Sequence, residues 1–162
     1  MAKIEKYCPS GVFKPAGYSQ GVKVTGAQSI LFLAGQVAYD KDGSVAFKGD
    51  FKGQARAVFE SIKKLVQAGG GTLDNVVKIN TYVTDVRNRP DFRLVRDEFF
   101  GSNGPASTMV EVCALAHPDY LIEIEAIAVV GNGARGDGAR AARPTGARVS
   151  ARRPSPRRTR RR

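Results

Sequence analysis

Residues 105–130, PASTMVEVCALAHPDYLIEIEAIAVV, decide how this chain is read. Two apolar runs, Ala106–Cys113 and Leu121–Val130, have the composition of β-strands, with His117, Pro118 and Asp119 in a short hairpin loop between them. The second run alternates: Ile122, Ile124, Ala126 and Ala128 share one face, and Glu123, Glu125 and Ile127 share the other. The first face is made for burial. The second carries two carboxylates about 7 Å apart along the strand, in a setting too apolar for a plain solvated surface. That pair is the first mark of a site.

Upstream, Asn75–Thr84 alternates as another strand, with Val77, Ile79, Thr81 and Val83 on one side and Val76, Lys78, Asn80 and Tyr82 on the other. A helix entered through Asn88 and Pro90 buries Phe92, Val95 and Phe99 and ends at Gly101 and Gly104. The clearest helix is Phe51–Ala68, where Phe51, Ala55, Val58, Phe59, Ile62, Leu65 and Val66 recur at spacings of three and four. Asp50 is its expected N-cap, and Gly69, Gly70 and Gly71 stop it. Near the N-terminus, Lys3–Tyr7, Val22–Thr25 and Ile30–Ala34 read as strands. Gly35 closes the last of these, where a glycine permits either close approach of a ligand or a bulge.

The order β-β-β-α-β-α-β-β puts the chain in the α+β class, with two helices able to cover one sheet face. The other face, where Leu121, Ile127 and Val129 accompany the glutamates, then needs a partner subunit. A homo-oligomer with the glutamates near its interface is expected.

Bulk properties divide the chain in two. Of 162 residues with a net charge of +11, residues 132–162 hold eleven arginines and one aspartate, hence +10, while residues 1–131 are close to neutral. The expected division is a folded domain over 1–131 and a disordered Arg/Gly/Pro-rich basic tail over 132–162, which has too little apolar content to fold. The domain itself lacks an electrostatic footprint for nucleic acid. The tail could bind RNA, a ribosome or another acidic surface by counterion release, or be an extension without function. Two cysteines and one histidine, with no metal-type spacing, predict neither a disulfide framework nor a metal site. The absence of a long apolar run excludes a membrane span from the reading, and the expected location is cytoplasmic.

With GYSQGV, LFLAGQV and NTYVTDV upstream, the 105–130 stretch resembles the RidA (YjgF-like) family of reactive intermediate deaminases, over about Lys6 to Val130. The resemblance implies a chorismate-mutase-like fold assembled as a homotrimer with clefts between subunits. It also implies hydrolysis of an enamine or imine with release of ammonia, without metal or organic cofactor. Other members are described as ribonucleases, translation inhibitors or chaperone-like proteins. By the same resemblance Tyr18 is the pocket tyrosine, Gly35 the glycine whose backbone lines the pocket (with Ala34 in place of the usual serine), and Glu123 the acid that positions or activates water. The departure lies at Ser107, where deaminating members carry the arginine that forks onto the substrate carboxylate. Met109 stands where a cysteine is frequent.

Losing a bidentate, charge-assisted fork weakens binding of an α-imino acid by about two orders of magnitude. The expected set is therefore Glu123 and Tyr18 as catalytic groups, with Gly35, Ser107, Thr108, Met109 and Arg93 contacting a substrate that is neutral or differently shaped. A non-enzymatic trimeric module binding a small ligand in the same cleft is the alternative. Arg93 and Arg96 could supply a displaced cation, although solvated helix-face positions are the simpler reading. Glu111 and Glu125 read as structural, Cys113 as a half-buried strand cysteine, and His117 as a loop residue.

Overall fold

The computed structural model describes residues 2–131, so the tail, with its expected disorder and RNA binding, lies outside the described residues. The strands and helices are β1 (Lys3–Tyr7), β2 (Gly21–Thr25), β3 (Ser29–Gln36), α1 (Phe51–Ala68), β4 (Val76–Val83), α2 (Arg89–Phe100), β5 (Ala106–Glu111) and β6 (Ile122–Val130). Helix α1 begins where Asp50 accepts a hydrogen bond from the Gly53 amide at 3.0 Å, and it ends at Gly69, with Gly70 at positive φ just beyond. Pro90 occupies the first turn of α2, where its missing N–H costs nothing.

The main sheet has the order β3-β6-β4-β5, antiparallel except for the β4–β5 pair, and β1 and β2 form a separate antiparallel pair. This corrects the hairpin reading of residues 105–130. The β5 strand stops at Glu111, and β4 lies between it and β6. Because α2 carries the chain back across the sheet, β5 can run parallel to β4. Cys113 consequently falls beyond the strand and is exposed rather than half-buried.

Both helices cover one face. Ile122, Ile124, Ala126 and Ala128 of β6 are buried there against Val58, Phe59, Ile62 and Val66 of α1 and Phe92 and Val95 of α2. The Phe59 ring lies 6.0, 5.2 and 5.6 Å from the rings of Phe92, Phe99 and Phe100, so one α1 side chain organises the contact with α2. A register shift between Val76 and Lys78 turns Val76 inward, displacing Val77 from the buried set expected for β4.

A glutamine completes this face. Gln54, fully buried on α1, donates to the Asp119 carbonyl at 2.7 Å and accepts from the Leu121 amide at 2.8 Å. On the opposite, uncovered face, Phe32 is 78% exposed and Ile30 56%. Phe32 pairs with Ile127, two residues from Glu125 in β6, so the open face is apolar as expected, although Leu121 packs against the core instead and Val129 is buried.

Candidate functional site

Edge strand β5 is in register with β4 so that Ser107 stands beside Ile79 and Met109 beside Thr81. Ile79 and Thr81 are buried toward the helices, so Ser107 and Met109 face that side as well. The segment Gly17–Ser19 runs along the start of β5: Ser19 bridges to Ala106, its amide donates to Pro105 O at 3.1 Å, and its hydroxyl donates to Gly104 O at 2.8 Å. These bonds set Tyr18 beside Ser107 across a cleft of about 490 Å³, whose lining includes Tyr18, Phe92, Arg93, Arg96, Ser107 and Met109.

Arg96 departs from the solvated reading. It is only 3% exposed, and its guanidinium lies 5.8 Å from the centroid of the Tyr18 ring and 5.9 Å from that of Phe92. Nε and Nη2 donate to Asp97 Oδ1 at 3.0 and 2.7 Å, and Nη2 also approaches the Ala16 carbonyl at 3.4 Å. Gly17 makes this possible: a β-carbon there would overlap Arg96 Nη2, and its φ of +79° is disfavoured for any other residue. Arg93, by contrast, is exposed at the cleft, as expected for a helix-face residue.

Glu123 occupies the opposite, open face. It pairs with Tyr82 of β4, and its carboxylate packs against the backbone of Gly35, where a β-carbon would overlap Oε1. The register of β3 against β6 also shifts between Leu33 and Gln36, which sets Ala34 and Gly35 against the single residue Glu125. The bulge reading of Gly35 therefore holds, and the close approach that the glycine permits here is that of Glu123. Glu125 is engaged structurally: Tyr82 Oη donates to it at 3.1 Å and Asn80 Nδ2 at 3.4 Å. The Tyr82 hydroxyl is held above its ordinary pKa, first by that hydrogen bond to a carboxylate and then by burial.

The expected site residues thus fall into two groups separated by the sheet. Tyr18, Arg93, Ser107 and Met109 share the cleft, whereas Glu123 and Gly35 meet on the open face. Thr108 leaves the first group: it stands beside Asn80 on the open side and accepts from Lys78 Nζ at 2.6 Å. Burial holds the Lys78 ammonium below its ordinary pKa. His117 is a loop residue as read, its ring 5.6 Å from that of Tyr120. Arg89, also in the cleft lining, was missed by the sequence reading. Its signal was the spacing of Arg89, Arg93 and Arg96, which share one face of a helix.

Comparison with known proteins places the chain in a family. Residues 13–130 match the profile of the family described as Endoribonuclease L-PSP. A RutC-family protein of Pyrococcus horikoshii is 43% identical over 116 residues, covering 71% of this chain and 89% of that protein. A RutC-family protein of Pyrococcus abyssi is 40% identical over 116 residues, covering 71% and 88%. Among solved structures, the Rid-family protein YyfB of Yersinia pestis, of unknown function, superposes with a TM-score of 0.71 at 28% identity, covering 78% of this chain and 98% of that one. RidA from an Antarctic Psychrobacter gives 0.58 at 31% identity, covering 77% and 94%. Matched over nearly all of its described residues in sequence and fold, the chain belongs to the YjgF/RidA family.

Proposed function

We propose that the chain is an enamine/imine hydrolase whose site is completed between subunits of a homotrimer. The observation that carries this reading is the placement of Glu123 against Gly35 on a sheet face that no helix or strand among the described residues covers. Tyr18 and Ser107 lie across the sheet, so one chain does not present the full set to a single substrate. A head-to-tail contact, in which the open face of one copy meets the cleft edge of the next, brings the two halves together. Repeated around a threefold axis, such a contact closes into a ring. It also covers Phe32, Ile30 and Ile127, which large exposed apolar patches call for.

The chemistry asks little of the protein. Water oxygen bonds to the imine carbon while the Glu123 carboxylate takes a proton from it and passes that proton to the nitrogen, as the C=N π bond breaks, to give a carbinolamine. That intermediate loses its hydroxyl proton as ammonia departs, leaving a carbonyl. Glu123 is suited to move the proton, and Tyr18 and Ser107 to hold the substrate by neutral hydrogen bonds.

The test is ammonia release from freshly generated 2-iminobutanoate by the full-length chain. The native chain should exceed buffer, Glu123→Gln should lower the rate by roughly 100-fold or more, and Ser107→Arg should raise it toward monocarboxylate substrates. If the native chain and Ser107→Arg both release ammonia no faster than buffer, the hydrolase reading fails.

A further inference from the structure

The charges around the cleft do not suit a neutral substrate. Arg89, Arg93 and Arg96 all line it, at positions i, i+4 and i+7 of α2, so they follow one another along one face of the helix over about 10 Å. Among the described residues, no acidic side chain is in the lining. Asp97 neutralises Arg96 from beside the cleft. The other acids of α2 are engaged with α1, Asp91 with Lys52 at 3.0 Å and Glu98 with Arg56 at 2.7 Å. Arg89 and Arg93 make no ion pair among the described residues and are exposed at the cleft. The helix therefore sends two of its three carboxylates to its neighbour and its three guanidinium groups to the pocket.

We propose that this cleft takes a small dicarboxylate, held by Arg89, Arg93 and Arg96 of α2 in place of a cation on β5, with its carbon chain against Phe92 and Met109. The proposal rests on the reading of the cleft as the substrate half of the hydrolase site, and it narrows the substrate to imines carrying two carboxyl groups. Two features support a dicarboxylate over a single acid. Two guanidinium groups, those of Arg89 and Arg93, remain without a counter-charge among the described residues, and a carboxylate bound by one arginine leaves the other uncompensated. Arg96 is the anchor: Gly17, Tyr18 and Asp97 hold it with Nε and Nη2 engaged, which leaves Nη1 for an incoming oxygen. Such preorganisation lowers the entropy lost when a ligand binds. Ser107 then serves as a neutral wall that leaves room for the longer acid, rather than as a damaged carboxylate clamp.

Titration calorimetry on the full-length chain tests this without any turnover, using 2-oxoglutarate, 2-oxobutanoate and glycerol 3-phosphate as probes. The dicarboxylate should bind about tenfold or more tightly than the monocarboxylate, and Arg89→Gln and Arg93→Gln should each weaken it by roughly 10- to 100-fold. Both substituted side chains are exposed, so thermal melting should be unchanged. The arginine-rich tail is present in every sample, so differences among variants report on the cleft. Equal affinity for the two keto acids, or dicarboxylate binding indifferent to both substitutions, overturns the proposal. So does tighter, arginine-dependent binding of glycerol 3-phosphate, or of a short single-stranded RNA that displaces 2-oxoglutarate. Arginine-dependent dicarboxylate binding without ammonia release from the matching imine would sink the hydrolase reading and leave this one standing.

Discussion

The two faces of the main sheet are built from the same strands yet answer to different physics. On the helix face, Ile79, Ile122, Ile124 and Ala128 are fully buried within the chain itself. On the open face, at the alternate positions of the same strands, Tyr82, Glu123 and Glu125 are half-buried beside an exposed Phe32. The difference teaches where selection by folding ends. Residues of the first face are held by the need for a core. Those of the second, lying outside that core, are free to carry carboxylates, a tyrosine and an exposed phenylalanine.

That contrast can be broken by substitution. The largest expected effect is on the helix face: Phe59→Ala removes the ring that meets three aromatic residues of α2 and should cost about 3–5 kcal/mol in denaturant unfolding. Phe32→Glu should do the reverse. Sedimentation should show dissociation to monomers, while the isolated subunit should keep its stability within about 0.5 kcal/mol, as for an ordinary surface change. If Phe32→Glu unfolds the chain while leaving the assembly of the folded fraction intact, the two faces are not independent and the inter-subunit site loses its support.

The smallest effect sharpens how α2 is docked. Arg56 forks onto Glu98 at 2.7 and 2.8 Å, and these hydrogen bonds hold the Glu98 carboxyl below its ordinary value of 4.5. A carboxyl depressed on folding adds stability that is complete above that ordinary value and is lost as the pH falls through its folded value. Arg56→Met should therefore melt slightly below the native chain at neutral pH, with the gap closing as acid takes the pH below 4.5. Both groups are solvent-exposed, so a small shift is all that is expected.

Much of the fold was legible from periodicity. The bounds of Phe51–Ala68 follow from its three–four spacing, and the strand Ile122–Val130 from its alternation. Pairing was not legible. Alternation assigns a residue to a face but names no neighbour, and nothing in residues 105–130 reveals that β4 is inserted between their two strands. The same gap hid the division of the site: Ser107 and Glu123 lie on opposite faces because Ser107 is in register with Ile79 and Glu123 with Tyr82. Arg96 was misread because a charged residue on a helix is solvated by default. Its burial needs the space left by Gly17 as well as the adjacent carboxylate of Asp97, and those two lie 80 residues apart in the chain.

Gln54 ties these threads to one side chain. Its amide presents a donor and an acceptor to Asp119 and Leu121, as a backbone peptide of an adjoining strand would. The helix thereby acts as a ruler for β6, setting the phase in which that strand enters the sheet two residues before Glu123. A strand slipped by one position would turn Glu123 into the aromatic layer beneath α1 and send Ile122 outward. The acid on the open face thus owes its orientation to a neutral amide on the far side of the sheet. A leucine at position 54, similar in size but without those bonds, would loosen the timing of the strand before it disturbed the core.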